Sequence, residues 1–291
     1  MFDNVFQSIS GTAWAITPEK MDEILAFMDI RQHGKLSAEQ IDAAMNRKAT
    51  KFTNIKGNIA ILPLYGVISQ KMNLMSQYSG GTSTELFGQL FDAAIADPSI
   101  GAIIIDTDSP GGNVYGVQEL SEKIYSARGK KPISAVVNSL MASAAVWIAS
   151  AADEITVTPG GEIGSIGVLS VHTDVSKAQD TAGYKTTIIK AGKYKAEGNP
   201  YEPLNADAVE AIQARINTYY EAFTSDMARN RGVSKPEGKF GEGRVFGAKD
   251  AVAMGLADRI GTMEQVIKDM LAKTGGKSSR LAQAQLDMLK L

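Results

Sequence analysis

The chain has 291 residues, of which 44% are hydrophobic and 21% charged, a composition that supplies a sizeable globular core. Its net charge of -2 gives no electrostatic footprint for nucleic acid or an anionic membrane. It holds no cysteine and two histidines, which excludes disulfides, thiolate metal sites and a cysteine nucleophile and leaves too few ligands for a zinc enzyme.

The N-terminus, Met1-Phe-Asp-Asn, lacks the basic and apolar regions of a signal peptide. Residues 1–56 read as a helical extension and linker. Thr17-Pro18-Glu19 opens a helix, with Thr as N-cap and Pro in the first turn, and Ile24, Leu25, Phe27 and Met28 give it an apolar face. A second helix is expected from Ser37, and residues 47–56 read as a polar linker.

From residue 57 the pattern becomes α/β. Strands are expected at 58–64, 102–106, 133–137, 155–158, 166–171 and 186–190, and helices at 84–96, 114–125 and 205–230. The run Ala102-Ile-Ile-Ile-Asp is of the kind buried on both faces of a sheet. The uncharged stretch Asn138-Ser-Leu-Met-Ala-Ser-Ala-Ala-Val-Trp147 leaves a strand and enters a helix. Its Ala- and Ser-rich run, through residue 152, is short for a bilayer span, so a cytoplasmic protein without a membrane partner is expected. Residues 57–272 form the expected main domain and 273–291 a flexible tail.

Three places carry candidate chemistry. Asp108-Ser-Pro-Gly-Gly112 follows a buried strand; its two glycines either make a tight turn or open backbone N–H groups to an oxyanion. Ser139, Ser143 and Ser150 share the uncharged stretch, where a serine at the strand–helix junction is a candidate nucleophile and the others fit an ordinary helix. Lys195 follows an apolar segment. A lysine acts as a base only when neutral, and a free pKa of about 10.4 means that burial must depress it. His172, with Asp174 two residues on, keeps a Ser-His-Asp triad open. The glycine-dense run 160–167 lacks the Walker lysine and the G-x-G-x-x-G order, which rejects nucleotide binding there.

The order of these pieces resembles the signal peptide peptidase A family of serine peptidases. The matching blocks are Asp106-Thr-Asp-Ser-Pro-Gly-Gly112, Asn138 to Trp147, Ala152 to Gly160, Gly164-Ser-Ile-Gly-Val168, Gly192-Lys-Tyr-Lys195, Gly243-Arg-Val-Phe and Ala253 to Asp258. The resemblance implies a ClpP/crotonase-like superhelix of ββα units and a Ser-Lys dyad of Ser143 and Lys195. It also implies an oxyanion hole from Gly111 or Gly112 with the amide of Ala144, and no metal or cofactor. Ala144 and Ala145 stand where the family commonly has glycine.

The N-terminal Ala13-Trp-Ala-Ile-Thr-Pro-Glu-Lys-Met21 resembles the branch that matures the heads of tailed phages. That branch implies scaffold, capsid or portal protein as substrate, and a homo-oligomer. A cytoplasmic peptide-degrading peptidase, a crotonase-type acyl-CoA enzyme and a non-catalytic assembly protein are the alternatives on the same fold.

Overall fold

The computed structural model describes residues 12–32, 54–71, 81–233 and 240–275. In chain order these form β1 (Trp14–Ile16), α1 (Pro18–Gln32), β2 (Asn54–Lys56), β3 (Ile59–Tyr65), β4 (Ile68–Ser69), β5 (Thr82–Ser83), α2 (Thr84–Ala96), β6 (Ala102–Ser109), β7 (Gly111–Asn113) and α3 (Val117–Ser126). Then follow β8 (Ile133–Ala142), α4 (Ala144–Ala149), β9 (Glu154–Val157), β10 (Glu162–Gly164), α5 (Ser176–Thr181), α6 (Ala206–Arg231), β11 (Val245–Gly247), α7 (Ala248–Ala253), β12 (Arg259–Ile260) and α8 (Met263–Lys273). The second expected helix from Ser37 and residues 276–291 of the expected tail lie outside the described residues.

The larger sheet has the order β11-β10-β8-β6-β3-β2, with β9 joined to β8 and β12 to β9. Its centre, β3, β6 and β8, is parallel. As the apolar run predicts, β6 is covered on both faces. Ile103 and Ile105 pack into the large core with α2, α3 and α4, while Ala102 and Ile104 meet Val266, Ile267 and Met270 of α8 on the other side. A strand with no polar face is stable only in such a three-layer setting.

The smaller sheet, β1-β7-β4-β5, lies at the C-terminal ends of β6 and β8. The N-terminal extension is not set apart from the main body: β1 pairs antiparallel with β7, and β2, inside the expected linker, pairs antiparallel with β3. The helix expected at 114–125 starts at Val117, because Gly116 takes a left-handed φ of 77°. The strand expected at 166–171 reduces to one bridge, Trp14 with Leu169. The strand expected at 186–190 does not form, and residues 180–195 are exposed throughout. Among the described residues no helix is long and apolar enough to cross a membrane.

Candidate active site

Ser143 is the single residue between the end of β8 and the start of α4. Its φ of 56° and ψ of -116° lie where a non-glycine residue is strained, at a cost of about 1–3 kcal/mol. The cost is borne because both sides are fixed. The Ser143 N–H donates to the carbonyl of Gly164 at 2.8 Å, and the Ser143 carbonyl accepts from the Trp147 N–H at 3.1 Å. Its hydroxyl does not cap the helix; it points to the Gly167 carbonyl at 3.3 Å. A sharp strand–serine–helix turn of this kind sets a hydroxyl beside the free amides of a helix N-terminus, of which Ala144 supplies the first.

The three serines of the stretch are thereby separated. Ser139 is exposed and Ser143 and Ser150 are enclosed. Ser150 Oγ donates to the Trp147 carbonyl at 2.9 Å and accepts from Asn230 Nδ2 at 2.9 Å, so it is bound into the packing of α4 on α6.

That packing is extensive. Trp147 stacks on Phe223 with ring centroids 4.7 Å apart, and its Nε1–H donates to Asp226 Oδ2 at 2.8 Å. Arg128 donates to the carbonyls of Ser150, Ala151, Ala152 and Asn230 at 3.2, 2.8, 2.6 and 2.9 Å. The cation thus gathers three consecutive carbonyls just past α4 and one of α6.

The wall opposite α4 is glycine by necessity. A methyl group at Gly111, whose φ is 98°, would lie 2.2 Å from the Ala15 carbonyl oxygen and 2.9 Å from Ser143 Cβ. One at Gly112 would lie 1.9 Å from the Ile68 carbonyl oxygen. The Ser-Pro-Gly-Gly turn therefore brings glycine backbone close to the Ser143 side chain. In this arrangement the Gly111 N–H donates to Ser109 Oγ at 3.2 Å, and Gly112 is the register partner of Ala15.

The glycine-dense run lies beside β8 on the edge away from β6. Gly164 takes a φ of 150° and Ser165 one of 55°, and a methyl at Gly164 would lie 2.2 Å from the Arg244 carbonyl oxygen.

Gly111, Gly112, Ser143 and Ala144 are thus brought together. Lys195 is exposed, in a turn closed by its own N–H to the Gly192 carbonyl at 3.2 Å, and no hydrogen bond joins its side chain to Ser143. His172 Nε2 bonds to the Asn199 carbonyl oxygen at 2.9 Å, and Asp174 Oδ1 accepts from the Ser176 N–H at 2.9 Å; neither touches Ser143.

Two features near the site carried no clear signal in the sequence. One is β1, which runs past Ser143; the alternation Ala13-Trp-Ala-Ile16 was its only trace. The other is Asp106, buried within β6 and bonded to the Tyr65 hydroxyl. Burial pushes the Asp106 carboxyl up from its ordinary range, against the opposing hydrogen bonds of Tyr65 and Asn138.

Residues 126–276 match the profile described as Peptidase family S49. The chain belongs to that family. The matched stretch contains Ser143 and Lys195; the Ser-Pro-Gly-Gly turn precedes it. The chain is 31% identical over 236 residues to capsid assembly protease C of Escherichia phage lambda, covering 81% of this chain and 54% of that protein. It is 30% identical over 227 residues to head-tail preconnector protein GP5 of Enterobacteria phage P21, covering 78% and 45%. This S49 chain therefore spans about half the length of these curated relatives. Among solved structures, a serine-to-alanine mutant of the 1510-N membrane-bound stomatin-specific protease matches with a TM-score of 0.46 and 17% identity, over 74% of this chain and 85% of that one.

Proposed function

We propose that the chain is a serine endopeptidase in which Ser143 is the nucleophile and Lys195 the general base. The observation that carries this reading is the strained Ser143 junction set against the Gly111 backbone. Neutral Lys195 Nζ takes the Ser143 proton, and Oγ attacks the scissile carbonyl carbon. The oxyanion is held by N–H groups of Gly111 or Gly112 and of Ala144. The tetrahedral intermediate collapses as the lysine ammonium gives its proton to the leaving amine. Water then hydrolyses the acyl-enzyme by the same proton path.

For Lys195 to act, the exposed run 180–195 must fold down over Ser143. Its surface supports such docking: Ile189 is 96% exposed, and Tyr184, Ile188 and Tyr194 are also exposed. A second copy of the chain is the occupant proposed to order it, making the active enzyme a homo-oligomer. The name of one relative, capsid assembly protease C, supports a protein of capsid assembly as substrate; we take this to be scaffold, capsid or portal protein, processed in the cytoplasm. The test is hydrolysis of such a protein by the purified chain and by Ser143→Ala; equal cleavage by both would remove Ser143 from the reaction.

A further inference from the structure

Residues 13–17 run as an extended segment between two backbone edges. On one side they pair with β7: Ile16, Ala15 and Trp14 stand opposite Gly111, Gly112 and Asn113. The Thr17 N–H donates to the Pro110 carbonyl at 3.0 Å and the Val114 N–H to the Ala13 carbonyl at 3.4 Å. On the other side Trp14 and Leu169 exchange both of their hydrogen bonds, each at 2.8 Å. Leu169 is two residues beyond Gly167, the residue that receives the Ser143 hydroxyl. The strand thus fills a slot between two backbone edges. Without it those edges would stand about 9–10 Å apart, two strand spacings, which is the width that accepts one extended peptide.

The strand also passes the nucleophile closely. A methyl at Gly111 would touch both the Ala15 carbonyl and Ser143 Cβ, so the Ala15–Ile16 peptide group lies over the glycine turn beside Ser143. The side chains alternate. Ala13 and Ala15 point into the main core with Met141 and Ala144, whereas Trp14 and Ile16 pack outward against Met21, Ile24 and Val67. Only small side chains face the serine.

We propose that residues 13–17 are an internal occupant of the peptide cleft, and that peptides which replace them present small side chains at the positions of Ala13 and Ala15. This rests on the peptidase reading for its consequence, since substrate must displace the strand before Ser143 is reached. A tethered strand competes at an effective concentration on the order of millimolar, so the resting chain is self-blocked. Displacement would leave β7 paired with β4 and would free both backbone groups of Leu169 for an incoming strand.

The probe is the labelled octapeptide Gly-Thr-Ala-Trp-Ala-Ile-Thr-Pro, residues 11–18. It is measured by fluorescence anisotropy against the full-length chain and against Ala15→Glu, whose carboxylate cannot be seated in the core. Ala15→Glu should bind it at least about tenfold more tightly, a gap of roughly 1.4 kcal/mol. Leucine at both alanine positions of the peptide should weaken binding about tenfold, the usual result of overpacking. Equal binding by both chains, with unchanged circular dichroism, would overturn the proposal.

Hydrogen exchange on the unaltered chain decides the case even if Ala15→Glu does not fold. The Trp14 and Leu169 amides should exchange by local opening, faster than those of β3 and β6. Exchange only at the rate of global unfolding would make the strand a fixed part of the fold and sink the idea. Tight peptide binding by Ala15→Glu without any Ser143-dependent hydrolysis would leave the occupant standing and remove the peptidase reading instead.

Discussion

The serine half and the lysine half of the proposed site are built differently. Behind Ser143 the packing is fixed: α4 is stacked on α6 through Trp147 and Phe223, and the turn that follows α4 is held by Arg128. The run carrying Lys195 has no sheet partner and lies wholly in solvent. On the proposed assignment, one chain preorganises the nucleophile but not the base, so activity would depend on an event that orders the second half and stability on the first.

Substitutions on the two sides should separate these dependences. Ser143→Ala should lower kcat/KM by about 10⁴-fold or more, as loss of a serine nucleophile does elsewhere, with an unchanged melting temperature; equal activity would break the assignment. Lys195→Ala should cost roughly 10²–10⁴-fold, the range of general base catalysis, also with the fold intact. A pH–rate profile that rises on the alkaline side as the base loses its proton checks the same assignment, and a flat one would argue against lysine.

On the rigid side, Trp147→Ala should destabilise by about 3–5 kcal/mol, as for other large buried side chains, read by chemical denaturation. On the exposed side, Ile189→Asp should change stability by no more than about 0.5 kcal/mol while lowering activity and shifting the oligomer towards monomer in light scattering. Loss of stability in Ile189→Asp would erase the contrast between the halves.

The smallest effect concerns Asp106. Its carboxyl is raised by burial, so the folded state holds a proton more tightly than the unfolded one. The Asp106 contribution to stability is then fully present at acid pH and is lost as pH rises through the raised value. Asp106→Asn should flatten that slope, giving a higher melting temperature than the parent at neutral pH and little difference at pH 3.

Much of the serine side was legible in the sequence, because local patterns decide it. Helix α2 falls on the expected 84–96, and α6 is displaced by one residue from the expected 205–230. The apolar run of β6 correctly implied cover on both faces. The departures lie where partners decide. Thr186-Thr-Ile-Ile-Lys190 has β-forming residues but no neighbouring edge, and propensity alone does not make a strand. The expected strand at 166–171 is broken at its start by the left-handed Ser165. The β1 strand carries only the brief alternation Ala13-Trp-Ala-Ile16, too short beside a proline-led helix to mark a strand, and its partner lies almost a hundred positions away.

The chain has two tryptophans, and they stand on opposite sides of Ser143: Trp14 on the strand in the cleft, Trp147 on the helix behind it. Both are buried. Replacing Trp147 by Phe would leave Trp14 as the sole indole, an emitter whose spectrum moves to longer wavelength when water reaches it. The molecule thus carries its own optical gauge of whether the cleft is filled from within or from outside, readable in a cuvette without any attached label.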